Sequence, residues 1–377
     1  MSESLSSTVE RTFVGLPSPA IGRAGAGGHP CQGIYYRLRG KVPKTAIIAT
    51  HYNLDFSEHY LAPYMAERGF GFLGWNTRFR GNEPYFQLDH ALAEIGVGVA
   101  WLRDQGVEEV VLLGNSGGGS LMAAYQSQCK DVDIRPSVGR PVFRGLYDLA
   151  PADYMIFLAA HPGRPEYITG AMDPSLTDEF DPTSIDPSLD MYDARNGVPF
   201  SDEFLQRYGR AQVARNARIT EYCLAELDRL PSLGTLERLF VMNRTWANPR
   251  FLDPTIDPSN RPVGRCYFGD PARANRNVFG VGMVTSLRTW LNMFSLTESD
   301  CVVDSHLPKN DLPTLVVHAD ADMGVFPADA QKLLDLTGAD DKQLVTLPGG
   351  HYFNETSEAR PNVADHVAAW LQARVSN

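Results

Sequence analysis

Lysine is scarce in this sequence: only six of the 34 basic residues, the other 28 being arginine. Forty-five acidic residues outweigh them and leave a net charge of −11. A chain so acidic repels nucleic acid and anionic membrane surfaces, so neither is expected as a partner. No uninterrupted apolar run reaches the roughly 18 residues that a membrane-spanning helix needs. Met1 to Thr12 is polar, with Glu3 and Glu10, and does not read as a secretory signal. The five cysteines (Cys31, Cys129, Cys223, Cys266 and Cys301) are scattered and never form a C-x-x-C pair. That speaks against a disulfide framework or a zinc cluster and fits a reducing, cytoplasmic setting. A G-x-x-x-x-G-K-[ST] phosphate loop is also missing, and no metal or organic cofactor is expected.

What is present is the composition of a folded chain, 43% apolar and 21% charged. At 377 residues it exceeds what one core usually holds, which suggests a large domain with an insertion, or two domains. Gly22 to Pro30 reads as a flexible stretch, making residues 1–30 a lead-in. From Cys31–Arg39 onward, strand and helix patterns alternate. Ala46–His51, Gly71–Trp75, Val110–Gly114 and Tyr154–Ala160 are strand candidates, most of them continuous apolar runs that fit strands buried on both faces. Phe56–Arg68, Phe86–Asp104 and Leu121–Cys129 carry helical spacing between them. The alternation breaks from about 163 to 305, where six Asp-Pro pairs favour turns. Within that stretch Ser201–Leu230 and Phe279–Leu296 are helix candidates. Alternation then resumes with Pro313–His318, Ala328–Leu336, Gln343–Leu347 and Val363–Val375. The reading is an α/β core over residues 31–162 and 306–377, a mostly parallel sheet with helices on both faces, interrupted by an insertion over residues 163–305.

The sharpest local signal is Gly114-Asn115-Ser116-Gly117-Gly118, a G-x-S-x-G where a strand hands over to a helix. A nucleophile on such a turn projects its hydroxyl above the sheet, and the flanking glycines relieve crowding. The N–H of Gly117 then lies at a helix start, where partial positive charge favours a developing oxyanion. A serine needs a base held by a third group. His351 follows the QLVTL strand by one short loop, and Asp322 follows the PTLVVH strand, so all three sit past strand carboxyl ends.

This elbow, the order Ser116, Asp322, His351 and the two late strand-end motifs resemble the α/β-hydrolase superfamily. The resemblance covers about residues 31–162 and 306–375 and implies an α/β-hydrolase fold with a large, mainly helical cap at the insertion. It implies Ser116 as nucleophile, His351 as general base and then acid, and Asp322 as the residue orienting the imidazole, with Asp320 the competing acid. It further implies an oxyanion hole from the Gly117 N–H and a second N–H from Tyr52 or Asn53. Members often carry His-Gly after this strand, whereas here the pair is His51-Tyr52.

Ser201 to Trp290 holds 13 Arg, no Lys and nine Asp or Glu. Such a lid either recognises an anionic substrate group or makes ion pairs with the Asp173–Asp193 stretch and the core. Aromatic and Met side chains there (among them Tyr208, Phe240, Trp246, Tyr267 and Phe279) supply pocket or packing material, and an apolar surface compatible with a homodimer. The expected function is a serine hydrolase of a carboxylic ester or lactone, acting on a small, largely apolar substrate, aromatic ones included, through an acyl-enzyme. The alternatives are a C–C bond hydrolase of a ring-cleavage product, an acyltransferase, and a non-catalytic ligand-binding member of the fold. Gly114-Asn115-Ser116 resembles the elbow of the C–C hydrolases, although their usual Met after the serine is Gly117 here.

Overall fold

The computed structural model describes residues 8–21, 28–278 and 280–375. In chain order the strands are β1 (Val9–Leu16), β2 (Cys31–Leu38), β3 (Thr45–Thr50), β4 (Gly71–Asn76), β5 (Glu109–Asn115), β6 (Tyr154–Leu158), β7 (Leu239–Val241), β8 (Val284–Ser286), β9 (Thr314–Ala319) and β10 (Lys342–Leu347). The helices are α1 (Ala62–Glu67), α2 (Leu88–Asp104), α3 (Gly118–Lys130), α4 (Arg164–Ala171), α5 (Asp202–Arg229), α6 (Pro271–Asn275), α7 (Leu287–Thr289), α8 (Pro327–Leu336) and α9 (Ala359–Gln372).

Eight strands form one sheet in the order β1-β2-β4-β3-β5-β6-β9-β10. The six from β4 to β10 run parallel, and β1 and β2 are antiparallel at one edge. Every residue of β3, β4, β6 and β9 is buried, which is why these strands read as continuous apolar runs. Their alternate side chains feed two cores. Ile47, Ala49, Val111 and Leu113 pack with Met65 of α1 and Val363, Val367 and Leu371 of α9. Ala46, Ile48, Val110 and Leu112 pack on the other face with Ile95 and Val99 of α2 and Leu121 and Met122 of α3. Each fully buried Ile, Leu or Val stabilises this layering by about 1.5–3 kcal/mol. Edge strand β10 instead exposes Lys342, Gln343 and Thr346, which discourages pairing with another chain.

Between β6 and β9 the chain leaves the sheet. Its main element is α5, 28 residues long, where Ser201 accepts the Phe204 N–H at 3.2 Å as N-cap. Phe204, Tyr208, Arg215, Ile219, Cys223 and Leu227 form its buried stripe. Four of the six Asp-Pro pairs make such turns: Asp173, Asp181, Asp186 and Asp253 each accept the N–H two residues on, at 2.9–3.0 Å. Asp270 caps α6 through the Arg273 N–H at 2.8 Å.

Three local expectations need correction. The 1–30 lead-in contains β1, which pairs along its whole length with β2; part of the Gly22–Pro30 stretch lies outside the described residues. The Phe279–Leu296 helix is a strand (β8), a single helical turn (α7) and a π-turn over Trp290–Phe294, and Phe279 lies outside the described residues. Thr285 and Thr289, buried polar residues, favour those breaks, Thr289 bonding the Pro84 carbonyl at 2.8 Å. The Phe56–Arg68 candidate is helical only over α1, because His59 folds its ring back onto the Leu61 N–H at 3.2 Å. Among the described residues no helix is long and apolar enough to cross a membrane.

Candidate active site

Strand β5 ends at Asn115 and α3 begins at Gly118, so Ser116 and Gly117 must make the whole reversal. Ser116 does so at φ 54°, a left-handed conformation that side-chain-bearing residues seldom adopt and that stores on the order of 1 kcal/mol. It is held there from the neighbouring strand, its N–H donating to the Leu158 and Ala159 carbonyls at 3.1 and 3.2 Å. Asn115 adds a bond from Nδ2 to the Leu158 carbonyl at 2.6 Å and another between Oδ1 and His59 Nε2 at 3.1 Å. The turn also presses against β3, since a Cβ at Gly118 would stand 2.2 Å from the Thr50 carbonyl oxygen.

Past the end of β9, Asp322 is 1% exposed and surrounded by donors. Oδ1 accepts from the Gly324 N–H at 2.9 Å, the Val325 N–H at 3.1 Å and the Tyr267 hydroxyl at 2.7 Å. Oδ2 meets His351 Nδ1 at 2.7 Å. Burial works against the charge, but His351, Tyr267 and the Gly324 N–H outweigh it and hold the carboxyl below its ordinary range. Burial, and then the Asp322 charge, pushes the Tyr267 phenol well above the usual tyrosine value, so its hydroxyl keeps its proton and donates it. Asp320 goes elsewhere: its oxygens take the Asn260 side-chain amide at 2.8 Å and the Gly349 N–H at 2.9 Å, tying loops together. Of the two acids, Asp322 is the one on the imidazole.

With Nδ1 of His351 bonded to Asp322, Nε2 is left for a cavity of about 240 Å³ that Ser116 and His351 both line. Asn53 and His51 contribute from the β3 side, and Trp246, Tyr267 and Phe268 come from the segment between β6 and β9. Tyr52 is fully buried instead, its hydroxyl 2.9 Å from Ser120 Oγ. The Asn53 side chain donates to Glu83, and its own N–H reaches His51 Nδ1 at 3.4 Å. Burial first, and then the Arg164 charge, push His51 well below the ordinary histidine value, so it is neutral. Among the described residues no group of three or more His, Cys, Asp or Glu side chains could hold a metal.

Two residues at this site escape a reading of the sequence. Tyr267 figures there only as apolar pocket or packing material, and nothing periodic ties its hydroxyl to an acid 55 residues away. Arg164 opens α4, a helix the alternation misses; Pro165 in the first turn, after Gly163, is the signal that could have marked it. Arg78 and Arg80 are loop braces, pairing with Glu94 and, at 2.8 Å, with Asp55. In the arginine-rich stretch Arg215 serves the scaffold, wholly buried on Glu179 at 2.6 Å and on three backbone carbonyls.

No family model and no curated protein sequence matches the chain. Solved structures do. The α/β hydrolase GrgF from Penicillium sp. sh18 superposes with a TM-score of 0.52 at 15% identity, covering 97% of this chain and 98% of that one. DcsB, solved in complex with its substrate analogue, gives a TM-score of 0.51 at 15% identity, covering 98% and 100%. At such identities the likeness concerns the path of the backbone.

Proposed function

Taking as premise that the chain has the α/β-hydrolase fold, we propose that it is a serine hydrolase cleaving a carboxylic ester or lactone of a small, largely apolar substrate. The observation that carries this reading is one cavity lined by both Ser116, on its strained strand-to-helix turn, and His351, whose far nitrogen is bonded to a buried, ionised Asp322.

In this reading Ser116 Oγ attacks the carbonyl while His351 Nε2 takes its proton. Asp322 keeps the imidazole in the tautomer with hydrogen on Nδ1 and stabilises the imidazolium that forms. The oxyanion is received by the Gly117 N–H at the mouth of α3, with a second N–H from the Tyr52–Asn53 turn. His351 then protonates the leaving alkoxide and activates the water that releases the acid. Among the described residues Ser116 Oγ makes no hydrogen bond to His351, and contacts of this kind tighten when substrate binds. The segment between β6 and β9 acts as a cap: its Trp246 and Phe268 give the acyl or alcohol part an apolar wall and limit its size.

Labelling with a fluorophosphonate, located by peptide mass spectrometry, is expected at Ser116 with loss of turnover on a panel of aryl esters and lactones. Ser116→Ala is expected to lose label and activity together. Full turnover by Ser116→Ala would overturn the reading.

A further inference from the structure

Arg164 is 2% exposed and lines the same cavity as Ser116. Among the described residues it forms no ion pair. Nη2 reaches Asn53 Oδ1 at 3.3 Å and His51 Nε2 at 3.4 Å, the group lies 4.8 Å from the centre of the Tyr52 ring, and Nε has no hydrogen-bond partner among the described residues. The acid that feels its charge, Glu83, has one oxygen on the Gly282 N–H at 2.7 Å and the other on the Asn53 side-chain amide. A guanidinium cannot shed its charge, and a buried one without a counter-ion is costly unless an anion joins it. No carboxylate touches it: Glu83 acts only from a distance, across Asn53, His51 is neutral, and buried His161, whose Nδ1 has no partner among the described residues, is likewise held neutral, by burial and then by the Arg164 charge.

The position is close to the chemistry. A Cβ placed on Gly117 would stand 2.9 Å from Arg164 Nη2 and 2.8 Å from His51 Nε2. Any anion on this guanidinium therefore sits beside the turn that carries Ser116. A tetrahedral oxyanion exists only fleetingly and leaves Arg164 uncompensated in the substrate complex. A carboxylate carried permanently by the substrate compensates it throughout.

The geometry points to an anion subsite built on Arg164, so that the substrate is an ester or lactone bearing a free carboxylate a few atoms from the scissile carbonyl. This rests on the Ser116 reading and narrows it: the apolar wall of Trp246 and Phe268 holds one end of the molecule and the guanidinium the other. The cavity, about 240 Å³, suits a small acid rather than a long acyl chain.

Monophenyl glutarate and phenyl pentanoate, matched in length and differing in the carboxylate, test it by release of phenol. Wild type is expected to favour the acid ester by about ten- to hundredfold in kcat/KM, the range of a charge-assisted hydrogen bond. Arg164→Gln is expected to bring that ratio to near unity, mainly through KM of the acid ester, and Arg164→Lys to keep part of it. No preference in wild type, or a ratio unchanged in Arg164→Gln, overturns the subsite. Calorimetry on Ser116→Ala separates this from the hydrolase reading. There 4-phenylbutyrate is expected to bind more tightly than 4-phenylbutanamide, with the difference lost when Arg164→Gln is added. Equal binding of anion and amide overturns the subsite even where Ser116 proves catalytic. A wild type that hydrolyses no better than Ser116→Ala defeats the Ser116 reading and leaves the subsite to be judged by calorimetry.

Discussion

In β5 every residue from Val110 to Asn115 is buried and the strand is held by apolar contacts on both faces, whereas between β6 and β9 buried arginines add polar anchoring to smaller apolar clusters. Arg215 gives five hydrogen bonds to Glu179 and the Asp173, Asn243 and Arg244 carbonyls. Arg261 reaches the Arg250, Asp253, Ile256 and Asp257 carbonyls at 2.6–3.0 Å. A sheet satisfies its own backbone groups. Irregular chain has no ladder to do so, and a planar group with five donors is the side chain best able to replace one. At these two positions lysine, with its single ammonium, could not make the same set of bonds. The contrast also bears on the proposed site: Ser116, Asp322 and His351 lie past sheet ends, while Trp246, Tyr267 and Phe268 line the cavity from the segment between β6 and β9.

The largest expected effect tests where the chemistry resides. Asp322→Asn keeps the size of the side chain but removes the charge and the preferred imidazole tautomer. Its kcat is expected to fall about 10³- to 10⁴-fold. Single-turnover kinetics on an aryl ester would measure it, and a fall of only a few-fold would mean that the acid on the sheet end is not the group that orients His351.

Next comes the stability of the two regions. Arg215→Met strands Glu179 and three carbonyls and should cost about 3–5 kcal/mol, the range for breaking a buried ion pair. Leu113→Ala, in the sheet, should cost about 2–5 kcal/mol. The sums are similar but the distribution is not. Hydrogen exchange is expected to show protection lost over residues 173–180 and 239–246 in Arg215→Met, with β3 and β5 still protected. Leu113→Ala should lower protection throughout. Equal loss in β5 for both variants would mean that cap and sheet unfold as one unit.

The same contrast explains what could be read in advance. Sheet strands announce themselves because both faces are buried, and the residues after their carboxyl ends follow by counting: Ser116, Asp322 and His351 were all legible that way. So were the Asp-Pro turns, since an aspartate before proline bonds its own chain within two residues. The cap was legible only as an interruption. Its contacts are polar and long-range, Arg215 to Glu179 spanning 36 residues and Tyr267 to Asp322 spanning 55, and no local pattern encodes them. Arg164 fell between the two regimes, on a short helix just past β6 and before the arginine-rich stretch. The roles of Tyr52 and Asn53 stayed open for a related reason, because N–H direction in a turn depends on tertiary packing.

Acid should separate the regions further. His59, between β3 and α1, is pushed by burial down to about 4, with the Arg360 charge acting the same way and the bond to Asn115 opposing. Its unfolded value is about 6.5. The folded value is the lower one, so the unfolded chain takes up the proton first on acidification. The contribution is present above about pH 6.5 and is lost as pH falls toward 4, at about 1.4 kcal/mol per pH unit. Urea unfolding at stepped pH should show this slope flattened in His59→Gln. The arginine network of the cap does not titrate in this range, so an unflattened slope would mean that the acid sensitivity lies in other buried groups.

The smallest expected effect concerns the bond by which Tyr267, from the segment between β6 and β9, touches Asp322. Tyr267 donates to Asp322 at 2.7 Å and stands 3.0 Å from His351 Nδ1, and it is seated so closely that a Cβ on Gly324 would lie 2.5 Å from its hydroxyl oxygen. Tyr267→Phe keeps the ring in place and removes only this donor, leaving Asp322 with the Gly324 and Val325 N–H groups and His351. A lost hydrogen bond to a charged acceptor corresponds to about tenfold in kcat. Because Tyr267 acts through Asp322 and His351 rather than on substrate, KM should hold while kcat falls. With one hydroxyl fewer on the imidazole–carboxylate pair, the acid limb of the pH–rate profile should also move. A change in KM alone would make Tyr267 part of the pocket wall, and the division between chemistry on the sheet and shape in the cap would then be complete.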